Sequence, residues 1–149
     1  KEHANLSNLV ASGRLHNLPR HYVEQPPRVA ATSSIERAAL GYLHGNCGHC
    51  HNDAGALTGL ELVLAQQADS AAQSSERTMQ SLLGHSSRFR PHGADSAQRI
   101  AREGDTHVLT LRMKTNNPLA RMPPLGVQQF DAEGVELVER WINQHLSNR

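Results

Sequence analysis

Residues 47–51 read Cys47-Gly48-His49-Cys50-His51. Two cysteines separated by two residues and followed at once by histidine form the pattern through which c-type haem is attached. The spacing has a chemical reason. Each thiol adds across one vinyl group of the porphyrin, and the two thioether bonds hold the macrocycle beside His51, whose imidazole then reaches the iron from one face. Cys47 and Cys50 are the only cysteines in the chain, so this assignment uses both. Other chemistries share the pattern. A closed zinc site needs two further ligands, and the ten histidines show no second paired spacing. A thioredoxin-like redox pair belongs in a βαβ setting, and none is visible here. The expected cofactor is one covalently attached haem c with its iron.

The opposite face of the iron needs its own ligand, and the chain offers Met79, Met113 and Met122. Met122 stands in Arg121-Met122-Pro123-Pro124-Leu125-Gly126. Pro123 and Pro124 stiffen the backbone just after the sulfur and remove two amide donors, which suits a loop pressed against an apolar porphyrin face. Met79 and Met113 sit at helical spacing among leucines, where methionine is usually core filler. The expected metal ligands are His51 and Met122; a histidine on the second face, or an open position, are the alternatives. Arg112 and Arg121 are candidate partners for the haem carboxylates, because a guanidinium matches a carboxylate in two-point geometry. The plain reading of both is surface arginine.

The elements that must position these groups read as helices. Glu2 to Ser12 carries Leu6, Leu9 and Val10 at helical spacing and stops at Gly13. Residues 19–32, with Pro19, Pro26 and Pro27, read as an extended connector. Ser33-Ser34-Ile35-Glu36 opens a helix as a capping box, and Ile35, Ala38, Ala39, Tyr42 and Leu43 give it one apolar face. Asn46 is expected to take the left-handed turn that ends this helix and leads into Cys47. Residues 65–75 are rich in Ala, Gln and Ser and read as a solvated helix or a loop. Met79, Leu82 and Leu83 suggest a helical turn or two before Gly84. Residues 85–95 read as an irregular basic loop containing Arg88, Arg90 and His92, and a short helix is expected from Asp105 or Thr106. Asp131 caps a last helix from Ala132 to about Leu146, with Val135, Val138, Trp141, Ile142 and His145 inward.

In this order of parts the chain resembles the class I c-type cytochromes from about Ser33 to Leu146. The likeness rests on a helix leading into the Cys47–His51 motif, a distal Met122-Pro123-Pro124 loop and a C-terminal helix containing Trp141. It implies an all-α, cytochrome c-like fold in which the first and last helices pack around the haem. They would cross where Ala39 and Leu43 meet Val138 and Trp141. Residues 1–32 would be an N-terminal helix and extended linker, and residues 33–149 the cytochrome c domain. About 70 residues lie between His51 and Met122, longer than the simplest members need, so a mid-chain insertion covers one haem edge. No proline follows His51 within about a dozen residues, where many members place one. From Tyr42-Leu43-His44-Gly45-Asn46 to the Arg121–Gly126 loop the chain also resembles haem modules attached to secreted bacterial polysaccharide-acting proteins, a likeness that implies electron delivery to copper oxygenases.

A haem with His on one side and Met on the other is six-coordinate, so the resemblance implies one-electron transfer rather than catalysis on a bound substrate. The expected partners are redox proteins in the periplasm or outside the cell, the compartment following from the attachment chemistry. Contact is expected at the haem edge near Cys47 and Cys50. A haem enzyme or gas sensor with a displaceable sixth ligand, and a docking module of a larger protein, are the alternatives. The composition agrees with a cofactor-filled core: 38% of residues are apolar and only five are aromatic, and a porphyrin supplies what such a chain lacks. A net charge of +1 points to neither nucleic acid nor an anionic membrane surface, and no apolar run approaches a membrane span. Residue 1 is Lys, as expected of a processed product or a piece of a longer chain, and a monomer is expected.

Overall fold

The computed structural model describes residues 5–91, 97–100, 107–126 and 129–147. Among them the chain is all-α, with six helices and no sheet: α1 (Leu6–Ala11), α2 (Arg20–Glu24), α3 (Ser34–Cys47), α4 (Ala71–Leu82), α5 (Val108–Lys114) and α6 (Ala132–Ser147). Two isolated bridges, Leu83 with Ile100 and Ser86 with Gln98, are the β-type pairings among these residues. No helix among them is long and apolar enough to cross a membrane.

The core forms where α6 packs across α3 and α5. Ala39, Leu40 and Leu43 of α3 and Val138, Trp141 and Ile142 of α6 are fully buried in one cluster with Leu64, Leu82 and Ile100. Each large apolar side chain contributes roughly 1.5–3 kcal/mol on burial, against about 1 kcal/mol for a hydrogen bond. Apolar packing therefore holds the crossing, and the polar contacts set its register. The two helices close where Gly134 of α6 meets the Tyr42 ring of α3. A Cβ on Gly134 would lie 2.3 Å from the Tyr42 ring. Asp131 fixes both: its Oδ1 accepts the Gly134 amide at 2.9 Å, and its carboxylate accepts the Tyr42 hydroxyl.

At the start of α3, Ser33 Oγ accepts the Glu36 amide as the capping box requires. The Glu36 carboxylate reaches one residue further back than expected, accepting the Thr32 amide at 2.9 Å and the Thr32 hydroxyl at 3.2 Å, and it lies 3.5 Å from His145 Nδ1 on α6. The buried face of α3 is rotated from the expected one, because Ala38 is exposed while Glu36 and Leu40 are buried. Asn46 does not end the helix. Its Nδ2 bonds back to the Tyr42 carbonyl at 2.9 Å, and α3 runs through Cys47.

The N-terminal residues differ from an extended connector by one helical turn. Pro19 precedes α2 and its carbonyl accepts the Tyr22 amide at 3.0 Å, while Arg20 and Glu24 pair at 2.6 Å, so a turn closes between the prolines. α1 begins at Leu6, capped by Asn5; Glu2 lies outside the described residues. The connector docks on the rest of the chain through Tyr22 to Asp69 and through the Val29 carbonyl, which accepts from Arg37 Nε at 3.1 Å. α4 takes in residues 71–75 of the stretch expected to be a solvated helix or a loop, and its inward face is rich in hydroxyls. Ser74, Ser75, Thr78 and Ser81 are buried, and the first three share hydrogen bonds with the Gln66 side chain. α5 starts at Val108, so the expected starts at Asp105 and Thr106 lie outside the described residues, as does His92.

Candidate functional site

The Cys47–His51 motif is a tightened continuation of α3. Cys47 is the last helical residue, and its carbonyl accepts the amides of Cys50 at 3.1 Å and His51 at 2.9 Å. Asn52 closes the turn, donating from Nδ2 to the Gly48 carbonyl at 2.9 Å and the His49 carbonyl at 3.0 Å. The His51 carbonyl accepts the Leu64 amide at 2.8 Å, tying the motif to residues 61–67. Gly48 lies against that segment so closely that a Cβ would sit 2.7 Å from the His44 carbonyl oxygen and 3.0 Å from Ala65 Cα. His44 and His49 are exposed, and His44 Nδ1 accepts the Gln66 amide at 3.0 Å.

The two thiols are free and differ in setting. Cys47 is partly buried and Cys50 is exposed. Burial, then the neighbouring Cys50, pushes the Cys47 thiol up to about 11. A thiol held protonated at neutral pH is the opposite of an activated redox cysteine, whose pKa is lowered. Among the described residues no three His, Cys, Asp or Glu side chains converge as a metal cage. His51 is displaced the other way: burial, then the charges of Arg112, Arg99 and His49, lower its pKa, which favours the neutral imidazole a metal ligand must be. Its Nδ1 is buried without a protein partner. Leaving such an atom unpaired costs about 1–3 kcal/mol, so the imidazole suits a ligand that the protein does not itself supply.

Cys47 and His51 open onto a cavity of about 120 Å³, smaller than the roughly 300–1,000 Å³ of a fully preformed site for a small molecule or cofactor. Its apolar wall comes from three regions, Leu60, Leu62 and Leu64 after the motif, Leu82 at the end of α4, and Val108 and Leu109 on α5. Met113 and Met122 both line it, whereas Met79 packs against the core elsewhere. Met113 packs against the core as Met79 does, and it also lines the cavity that His51 lines. Met122 is held by its amide, which donates to the Arg112 carbonyl at 2.9 Å, and its bond to Pro123 is cis. Asn117 organises the approach, with its carbonyl accepting the amides of Ala120 at 3.0 Å and Arg121 at 2.9 Å.

Three guanidinium groups reach the same cavity, from Arg88, Arg99 and Arg112, and its described lining contains no carboxylate. Arg112 stacks 4.6 Å from the centre of the Phe89 ring and donates from Nε to the Ala120 carbonyl at 2.7 Å. Arg99 is bound to three carbonyls, Leu60, Glu61 at 2.9 Å and Ser81 at 2.5 Å. Burial lowers the pKa of both Arg99 and Arg112, the direction expected of desolvated cations; at Arg99 the Glu61 carboxylate opposes the shift and Arg88 adds to it. Arg88 donates to the Gly59 carbonyl at 2.5 Å and so belongs to the cavity rather than to a free basic loop.

Of the residues singled out by sequence, Cys47, His51, Met122 and Arg112 come together at the cavity. Cys50 adjoins it through the motif turn. Pro123 is exposed and Arg121 is half-buried with an unpartnered Nε, and neither lines the cavity. Asn52, Arg88 and Arg99 were not anticipated. Only Asn52 carried a local signal, as a polar side chain directly after the motif. No protein-family model matches the chain, and no curated protein or solved structure is significantly similar to it.

Proposed function

We propose that this chain is a single-haem electron carrier of the class I c-type cytochrome kind, working in the periplasm or outside the cell. The observation that carries the reading is the convergence of Cys47, His51 and Met122 on one largely apolar cavity that three arginines also line. Haem c bound there supplies a one-electron iron couple.

The chain's residues have distinct parts in this. Cys47 and Cys50 lie on one turn, where two thioether bonds would fix the macrocycle's orientation. Asn52 and the Cys47 carbonyl keep that turn rigid. His51, whose pKa its surroundings lower, would offer an imidazole nitrogen, and Met122 would offer a thioether from its loop. The leucines exclude water. Arg88, Arg99 and Arg112 would meet the carboxylates of the cofactor, and their charge favours the reduced, less positive iron. With His51 and Met122 both holding the iron, the site would exchange electrons with a redox protein and would leave no place for a substrate at the metal. A secreted copper oxygenase acting on polysaccharide is one acceptor class to test.

The test is a redox titration followed by stopped-flow mixing of reduced protein with acceptor proteins. A single reversible one-electron couple, no carbon monoxide binding by the ferrous wild type and no enzyme-like peroxide turnover are expected. Tight carbon monoxide binding without any mutation would replace electron transfer with a sensor or enzyme reading.

A further inference from the structure

The cavity contains two thioether side chains, and they start from neighbouring points of the backbone. The Met122 amide donates at 2.9 Å to the carbonyl of Arg112, which belongs to the peptide bond joining Arg112 to Met113. Both methionines line the cavity that His51 lines. They differ in how they are held. Met113 is on α5, which packs against α6, and the next residue, Lys114, is ion-paired to Glu139 of α6. Met122 is on a loop whose neighbours Pro123, Pro124, Leu125 and Gly126 are all exposed, with Leu119 and Leu125 at 89% and 83% exposure. The inward hold on that loop is the Arg112 residue, through its carbonyl to Met122 and its Nε to Ala120. Loops with few buried contacts open at lower free energy than packed helices.

Resting on the haem reading above, we propose that Met113 is a reserve axial ligand: when the loop carrying Met122 withdraws, the Met113 thioether takes the same iron position. The exchange breaks one iron–sulfur bond and forms another. Both thioethers are neutral, so no proton or electron is transferred, and the site passes from one His/Met state to another without opening to small ligands. A leucine at position 113 would fill the same space without this capacity, because Leu and Met are close in volume and differ in the donor atom.

The experiment uses the matured full chain and the variants Met122→Leu, Met113→Leu and the double variant, with Met79→Leu as a control outside the cavity. Leucine keeps the volume, and thermal melts establish that each variant is folded. Intact mass under denaturing conditions comes first, since a wild type lacking covalent haem overturns both this proposal and the reading beneath it. With haem present, Met122→Leu is expected to keep the ferric iron–sulfur charge-transfer band and to bind carbon monoxide about tenfold or more weakly than the double variant, because Met113 occupies the site most of the time. Loss of the band in Met122→Leu, with carbon monoxide affinity equal to that of the double variant, overturns the reserve role while leaving the haem reading intact. Loss of the band in Met113→Leu alone also overturns it, by making Met113 the resident ligand.

Discussion

Replacing Gly48 by Ala tests how tightly the attachment motif is built into the fold. Gly48 has ordinary right-handed helical angles, φ −61° and ψ −26°, so alanine meets no backbone strain there. The added Cβ is what matters: it would lie 2.7 Å from the His44 carbonyl oxygen, 3.0 Å from Ala65 Cα and 3.2 Å from Ala65 N. All three neighbours are backbone atoms, and they are pinned. The His44 carbonyl accepts the Gly48 amide, and Ala65 is flanked by the bonds from Leu64 to His51 and from Gln66 to His44. No side chain can swing aside, so either the end of α3 or residues 64–66 must move. Overpacking of this kind costs about 1–3 kcal/mol, and the rigid neighbours place the net effect near 2 kcal/mol, which for a chain of this size lowers the melting temperature by about 4–8 °C. Gly41→Ala, in the same helix with nothing within 4 Å of the new Cβ, should instead stabilise by up to about 1 kcal/mol. Thermal melts of the two matured variants beside wild type decide the matter. A Gly48→Ala protein that melts with the wild type or above it would refute the close approach of motif and Ala65.

Three further outcomes follow from the structure. Arg99→Leu removes one cavity charge and the partner of the Leu60, Glu61 and Ser81 carbonyls; it should lower the midpoint potential and cost about 1–3 kcal/mol of stability. Arg121→Leu, whose side chain does not line the cavity, is the comparison in the same voltammetric measurement, and an equal fall in potential would contradict the assignment of Arg99. Burial and then the Asp131 carboxylate push the Tyr42 hydroxyl from 10.0 up to about 12. The folded phenol then holds its proton more tightly than the unfolded one, so its contribution is complete below pH 10 and is lost as pH rises towards 12. Denaturant melts across that window should show a decline that Tyr42→Phe flattens, and an identical decline in the variant would remove Tyr42 as its source. Asn52→Ala should loosen the turn at Gly48 and His49 and lower the yield of haem-loaded protein without changing the axial spectrum of what does load; an unchanged yield would show that the Cys47 carbonyl suffices.

Local signals were the legible ones. The Cys47–His51 motif, the Ser33 and Asp131 caps and the inner face of α6 each depend on residues a turn or less apart, and all three lie where short-range chemistry puts them. Asn46 misled because its side chain can either cap a left-handed turn or bond back along the helix, and only the latter fits beside Gly48, whose amide is shared between the Leu43 and His44 carbonyls. Residues 65–75, which take in the start of α4, read as a solvated helix or a loop because periodicity arguments look for apolar faces, and here Gln66 supplies partners that let Ser74, Ser75 and Thr78 be buried instead. Arg99 had no local signal at all: its meaning comes from carbonyls 18 to 39 positions away. For the same reason the sequence favoured Met122 by its prolines yet had no means of placing Met113 on the same cavity.

The central claim is covalent haem on Cys47 and Cys50, and it is tested most directly by the intact mass of the denatured protein. The chain should be produced in a host that exports it and attaches haem, then stripped of loosely held cofactor with acid–acetone. The account predicts a mass equal to polypeptide plus one haem, no thiol open to alkylation at Cys47 or Cys50, and at most one thioether in Cys50→Ala. A mass equal to the bare polypeptide, with both thiols alkylated, would contradict it.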